Sequence, residues 1–140
     1  MGDTNILAKH IDELCEKHQI TILNRSSHGG RASKRDRTIS IKPVKTQRTY
    51  ITALHEIGHI VGRGRSGTRL QQEAAAWQYV LDTSIVALAP GTYRAMLRFL
   101  TTYLKASEKA ALRNTGRYIL PKDNDPFWVT YNLLKEKAGT

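Results

Sequence analysis

Ala53-Leu54-His55-Glu56-Ile57-Gly58-His59-Ile60 is the stretch on which the reading of this chain turns. Apolar residues frame two histidines four positions apart, with a glutamate directly after the first. On a helix such a pair projects from one face, one turn apart, so both imidazoles can converge on a single ion. Zinc accepts neutral imidazole and prefers four ligands in a tetrahedron. The glutamate of an H-E-x-x-H helix lies beside the metal rather than on it, where it can handle a proton of bound water. With five histidines and twelve acidic residues in the chain, residue frequencies produce this pattern by accident about 1% of the time or less. His55 and His59 are therefore predicted metal ligands, and Glu56 the general base.

A catalytic zinc needs a third protein ligand and an open position. The longer H-E-x-x-H-x-x-G-x-x-H pattern fails here, because position 65 is Arg65. Gly62, Gly64 and Gly67 break the motif helix, expected over 47–61, and a second strong helix is expected over 70–88, stopped by Pro90. Glu73 stands near its start, in Leu70-Gln71-Gln72-Glu73-Ala74-Ala75-Ala76-Trp77, and is the only acid between Glu56 and Asp82. After the glycine-containing turn this helix can fold back beside the first, and the small Ala74, Ala75 and Ala76 allow close approach. Spacing puts Glu73 first as third ligand and Asp82 second.

Upstream, Asp3 or Thr4 is expected to cap a helix reaching about Lys17, with Ile6, Leu7, Ile11, Leu14 and Cys15 on one face. Residues 20–23 read as a short β-branched strand, 24–36 as a mobile connector, and 37–42 as a half-buried strand pairing with the first in a long-looped hairpin. Downstream, Pro90-Gly91-Thr92 opens a helix with Tyr93, Met96, Leu97, Leu100 and Leu104 on one side. A short helix over 107–113, a turn over 121–126 and a terminal helix over 127–137 follow. The order predicts an α+β fold: one mostly helical domain, 1–140, whose small sheet precedes the zincin-like helix.

The balance of 22 basic against 12 acidic residues gives a net charge of +10. Such charge attracts nucleic acid, acidic proteins or anionic surfaces without choosing among them. It is diffuse, densest in Arg25, Arg31, Lys34, Arg35 and Arg37, with a second group in Arg63, Arg65 and Arg69. No helix combines clustered Arg and Lys with a helix-turn-helix pattern, which argues against a dedicated nucleic-acid module. No apolar stretch is long enough to span a bilayer, and the first residues carry no leader pattern. A single cysteine, Cys15, makes no internal disulfide, so a cytoplasmic location is expected. His10 and His18 are expected at the surface, and Trp77 and Trp128 as core anchors. Tyr50, Tyr79 and His28 are available to stabilise an oxyanion, and sequence does not choose among them.

Gln47-Arg48-Thr49-Tyr50-Ile51-Thr52-Ala53-Leu54-His55-Glu56-Ile57-Gly58-His59 resembles the ImmA/IrrE metallopeptidase family. That family runs an arginine–aromatic approach into a helix carrying H-E-L-G-H, then supplies a glutamate followed by alanine and, three residues on, an aromatic. Glu73, Ala74 and Trp77 fit the second block; Ala75 stands where asparagine is usual, and Trp77 where phenylalanine is commoner. The resemblance covers about residues 5–90, leaving 91–140 as a helical C-terminal extension of the same domain. It implies one zinc held by His55, His59 and Glu73, with Glu56 as general base. It also implies an endopeptidase acting on a specific cytoplasmic protein, a DNA-binding repressor of a phage or mobile element being the family's kind of substrate. The alternative is a zinc-containing regulator that binds protein or nucleic acid without cutting. An extended substrate is expected to pair with the strand over 38–42.

Overall fold

The structure, a computed structural model, describes residues 2–27, 29–62, 68–117 and 119–139, with the backbone alone for 2–5. The elements run α1 (Gly2–His18), β1 (Thr21–Asn24), β2 (Arg31–Ser33), β3 (Thr38–Ile41), α2 (Gln47–Val61), α3 (Arg69–Thr83), α4 (Pro90–Thr115) and α5 (Pro126–Ala138). This is the mostly helical α+β fold that the order of patterns predicts. One hydrophobic core takes residues from every helix, from Leu7 and Ile11 on α1 through Met96 on α4 to Leu134 on α5. Residues after Pro90 thus pack on the same core as those before it. His28, Arg63, Gly64, Arg65 and Gly67, and the side chains of Asp3 and Thr4, lie outside what is described, but α1 already starts at Gly2, so Asp3 and Thr4 sit inside the helix and do not cap it. No described helix is long and apolar enough to cross a membrane.

Reciprocal side-chain caps fix where the two site helices begin. Thr46 accepts from the Thr49 N–H at 3.2 Å, while the Thr49 hydroxyl accepts from the Thr46 N–H at 2.9 Å. Thr68 and Gln71 repeat the exchange at the head of α3, at 3.1 and 3.0 Å. Each box satisfies two backbone donors that a helix start otherwise leaves without partners.

The strand pairing departs from the expected hairpin. β1 runs parallel to β3, Thr21 opposite Thr38 and Asn24 opposite Ile41, while β2 pairs antiparallel with β3. The order is β1-β3-β2, and the stretch read as a mobile connector holds a strand. Arg37 explains the register. It closes the β2–β3 turn with a left-handed φ of 52°, and its guanidinium grips the His18 carbonyl at the end of α1. The Thr21 N–H then bonds the Arg37 carbonyl at 2.9 Å, so β1 starts level with the start of β3 and runs beside it. A three-residue strand is too short to show alternation, which is why β2 is invisible in the pattern. β3 is the central strand and has no open edge; β2 is the edge next to the site.

α3 stops at Thr83 instead of reaching Leu88. The apolar pattern continues, but α2 takes the backbone of residues 84–89 for itself. The Tyr50 hydroxyl accepts from the Ile85 N–H at 3.1 Å, and Gln47 accepts from the Ala89 N–H at 2.9 Å. Tertiary partners here outweigh helical periodicity. α4, by contrast, is one unbroken helix that absorbs the separate helix expected over 107–113 and ends at Gly116 with a φ of 76°. Nothing between Leu104 and Lys109 breaks it, and Ala106, Ala110 and Ala111 favour it.

Tyr50 is fully buried, and its hydroxyl also lies 2.7 Å from His10 Nδ1. His10 is thus half-buried and engaged, not the surface histidine expected. With the Tyr50 oxygen accepting from Ile85, its O–H donates to a neutral His10. Burial lowers the His10 pKa, with Glu13 opposing. A histidine whose folded pKa is depressed contributes stability that is complete above its unfolded value and is lost as pH falls through the folded one. Thermal unfolding should therefore show a midpoint that drops as pH falls below the ordinary histidine range, and less steeply in His10→Asn. Equal slopes for the two proteins would remove His10 from the acid response.

Candidate metal centre

α2 and α3 lie side by side, and Gly58 is the reason they can. A Cβ on Gly58 would sit 3.1 Å from the Ala76 carbonyl oxygen, 3.2 Å from Ala76 Cα and 3.0 Å from Tyr79 Cβ. The alanine run anticipated half of this contact, and the glycine inside the motif supplies the other half. At that separation Glu73, on α3, faces His55 and His59 on α2.

The three side chains converge. His55 Nε2 lies 3.0 Å from Glu73 Oε1, His59 Nε2 lies 2.9 Å from Glu73 Oε2, and the two Nε2 atoms are 3.2 Å apart. Ligand bonds of about 2.0–2.1 Å set the edges of a tetrahedron at about 3.3–3.4 Å. The cluster needs only a few tenths of an ångström of opening to receive an ion. His55, His59 and Glu73 are thus positioned to hold a metal ion. Asp82, the other acid considered, is exposed near the far end of α3 and takes a hydrogen bond from Gln78 at 3.0 Å, remote from the pair.

The electrostatics suit that role. Burial lowers the His55 pKa, against the pull of Glu73, and so favours the neutral imidazole that a metal requires. Burial pushes the Glu73 carboxyl up, but hydrogen bonds from His55 and His59 and their charge prevail and hold it at about 2. Glu56 lies in the same cleft but outside the converging set. It is 7% exposed, and burial raises its pKa to about 7, with His59 and Arg25 opposing and Glu73 adding. Gly30, at the entry to β2, presses against it: a Cβ there would come 2.8 Å from Glu56 Cγ. No pattern in the sequence marked Gly30.

Metal-ligating histidines usually donate their second ring nitrogen to a carbonyl or carboxylate. His55 Nδ1 is buried and has no such partner among the described residues. Packing orients the ring instead. Trp77 lies against His55 with ring centroids 3.9 Å apart, Phe99 from α4 stacks on Trp77 at 5.9 Å, and the Arg48 guanidinium covers Phe99 at 5.4 Å. The tryptophan expected as a core anchor is therefore also the support of a candidate ligand. Trp77→Ala should weaken metal binding by about 10–100-fold and destabilise the fold by about 3–5 kcal/mol. Trp77→Phe, which keeps a ring against His55, should bind nearly as wild type. Competition with a chromophoric chelator measures both, and equal affinity in all three proteins would refute the support.

The cleft over the cluster has a volume of about 540 Å³, walled by β2 and the following turn on one side and by Arg69 and Tyr103 on another. Arg69 is one turn ahead of Glu73 on α3, and its guanidinium lies 3.5 Å from the Tyr103 hydroxyl. Tyr103 comes from α4, four residues after Phe99, so residues beyond 90 help to build the site. Nothing local in the sequence distinguishes these two aromatics from a core face. Of the earlier oxyanion candidates, Tyr50 is committed to His10 and Ile85, and Tyr79 bonds Thr83. His28 is outside the described residues. A larger cavity of about 740 Å³ lies against the opposite face of α3, between Ala75, Gln78 and Phe127, and no histidine lines it. No protein-family model matches this chain, and no curated protein or solved structure matches it either.

Proposed function

We propose that the protein is a zinc-dependent endopeptidase of the ImmA/IrrE kind. The observation that carries this reading is the convergence of His55, His59 and Glu73 beside a buried carboxylate, Glu56, that is not part of the ligand set. A purely structural ion has no need of that fourth group. Two imidazoles, one carboxylate and an open cleft match the donor set of a hydrolytic zinc site. Zinc held by His55, His59 and Glu73 would supply Lewis acidity there, making water more acidic and polarising a carbonyl.

The chain's own residues do the rest. Glu56 accepts the proton of the attacking water and passes it to the leaving amine nitrogen as the peptide bond breaks. The open edge of β2 offers backbone N–H and C=O groups to an extended segment, a role the central position of β3 denies to that strand. Tyr103 supplies the hydroxyl that donates to the developing oxyanion. Tyr103→Phe should then lower kcat by about 10²-fold with little change in KM. A larger effect on KM than on kcat would make Tyr103 a binding residue.

The free Cys15 suits a reducing compartment, which makes a cytoplasmic protein the substrate to seek. The resemblance over residues 47–59 and 73–77 makes a DNA-binding repressor the first to try. The direct test incubates zinc-loaded protein with mixed peptides and follows new termini by mass spectrometry. Cuts that vanish with a chelator and return with zinc support the endopeptidase. Full zinc occupancy with no cuts in peptides or repressors would instead make the protein a non-cleaving regulator.

A further inference from the structure

The exposed charged residues in the walls of the cleft are of one sign. Arg31, Lys34 and Arg35 from β2 and its turn, and Arg69 from α3, line the same space as the metal cluster, and all four are exposed. Two acids share the cleft, and Glu73 acts on Arg69, but both lie below the rim. Glu56 is 7% and Glu73 5% exposed, and Glu73 is held by the two histidines. Among the described residues neither Arg31 nor Arg35 has a carboxylate partner, and Arg69 rests on the Tyr103 ring at 5.4 Å. A cleft with walls of one sign focuses its field on whatever enters. An occupying divalent cation would add to the same sign.

Two kinds of polyanion could answer such a rim, and the geometry favours one. β2 is an edge strand whose backbone suits an extended peptide, and Arg31 and Ser33 point to one side of it by strand alternation. Two-metal clamping is a common route for in-line phosphodiester displacement, and the described residues hold one cluster of ligands. We infer that the basic rim selects an acidic peptide segment, bound extended along β2 with its carboxylates against Arg31, Arg35 and Arg69. This inference rests on the endopeptidase reading for its product, and on the rim alone for its binding.

The test separates the two. Fluorescein-labelled peptides of equal length, one rich in Asp and Glu, one neutral and one rich in Lys, are titrated with zinc-loaded Glu56→Gln protein by anisotropy. A single-stranded DNA of matched charge is titrated beside them. The acidic peptide should bind about tenfold or more tighter than the neutral one, and Arg31→Glu with Arg35→Glu should remove that advantage. The milder pair Arg31→Gln with Arg35→Gln should reduce it, which guards against loss of fold in the reversed protein. Equal binding of acidic and neutral peptides, or an advantage that survives charge reversal, overturns the inference. DNA that binds as tightly as the acidic peptide, and loses binding in the same variants, overturns it in favour of nucleic acid. Unlabelled peptides are then given to the wild type. Acidic binding without cleavage upholds the rim and removes the hydrolytic reading; cleavage indifferent to acidity upholds hydrolysis and overturns the rim.

Discussion

Replacing Glu56 by glutamine is expected to lower peptide hydrolysis by about 10²–10⁴-fold, the usual contribution of a general base, while leaving one metal per chain. The two halves of this result have separate causes. Metal retention follows because the group positioned to hold an ion is His55, His59 and Glu73, and Glu56 is not in it. Loss of rate follows because an amide oxygen of the same size and place cannot take a proton from water. The substitution is also sterically quiet. Gly30 leaves room for the side chain and no more, and glutamine has the shape of glutamate. Elemental analysis and a single peptide assay on the same preparation decide the matter. A variant that cuts at the wild-type rate would strip Glu56 of the role, and one that has lost its metal would make it a ligand.

Glu73→Ala should cost more, since it removes metal and reaction together. Glu73 is the group that both histidines face, at 3.0 and 2.9 Å. Its loss leaves two imidazoles 3.2 Å apart with no carboxylate facing them from α3. Zinc affinity should fall by at least about 10²-fold, beyond the range found for groups that only support a ligand. Asp82→Ala is the matched control and should bind zinc as the wild type does, because that side chain is exposed and engaged with Gln78. Unchanged affinity in Glu73→Ala would move the third ligand elsewhere, and weakening in both would point to α3 rather than to the carboxylate.

The histidine pair was legible because its geometry is local. Four residues on a helix bring His55 and His59 onto one face whatever the rest of the chain does. Glu73 was legible by elimination, since few acids follow the motif, though nothing in the spacing itself brings α3 alongside α2. Gly58 does that, by letting the Ala76 backbone approach. The strands show the opposite case. β1 and β3 could be recognised singly, but whether they pair parallel or as a hairpin depends on Arg37 reaching the end of α1. No pattern within either strand records it.

Composition, periodicity and one motif therefore determined the mostly helical α+β class and the starts of the site helices. They also marked the two histidines that bring nitrogen to one point, and put Glu73 ahead of Asp82 as the carboxylate. Only the tertiary structure decided what surrounds that point. Tyr103 reaches it from α4, Phe99 on the same helix backs Trp77, Gly30 presses on Glu56 from the head of β2, and Arg31, Arg35 and Arg69 close around it as a basic rim. The same is true of the end of α3, which Tyr50 and Gln47 impose by binding the backbone that would have continued it. The physical reason is range. A helical turn is written within a few residues, whereas a cleft wall is assembled from segments that meet only when the core closes.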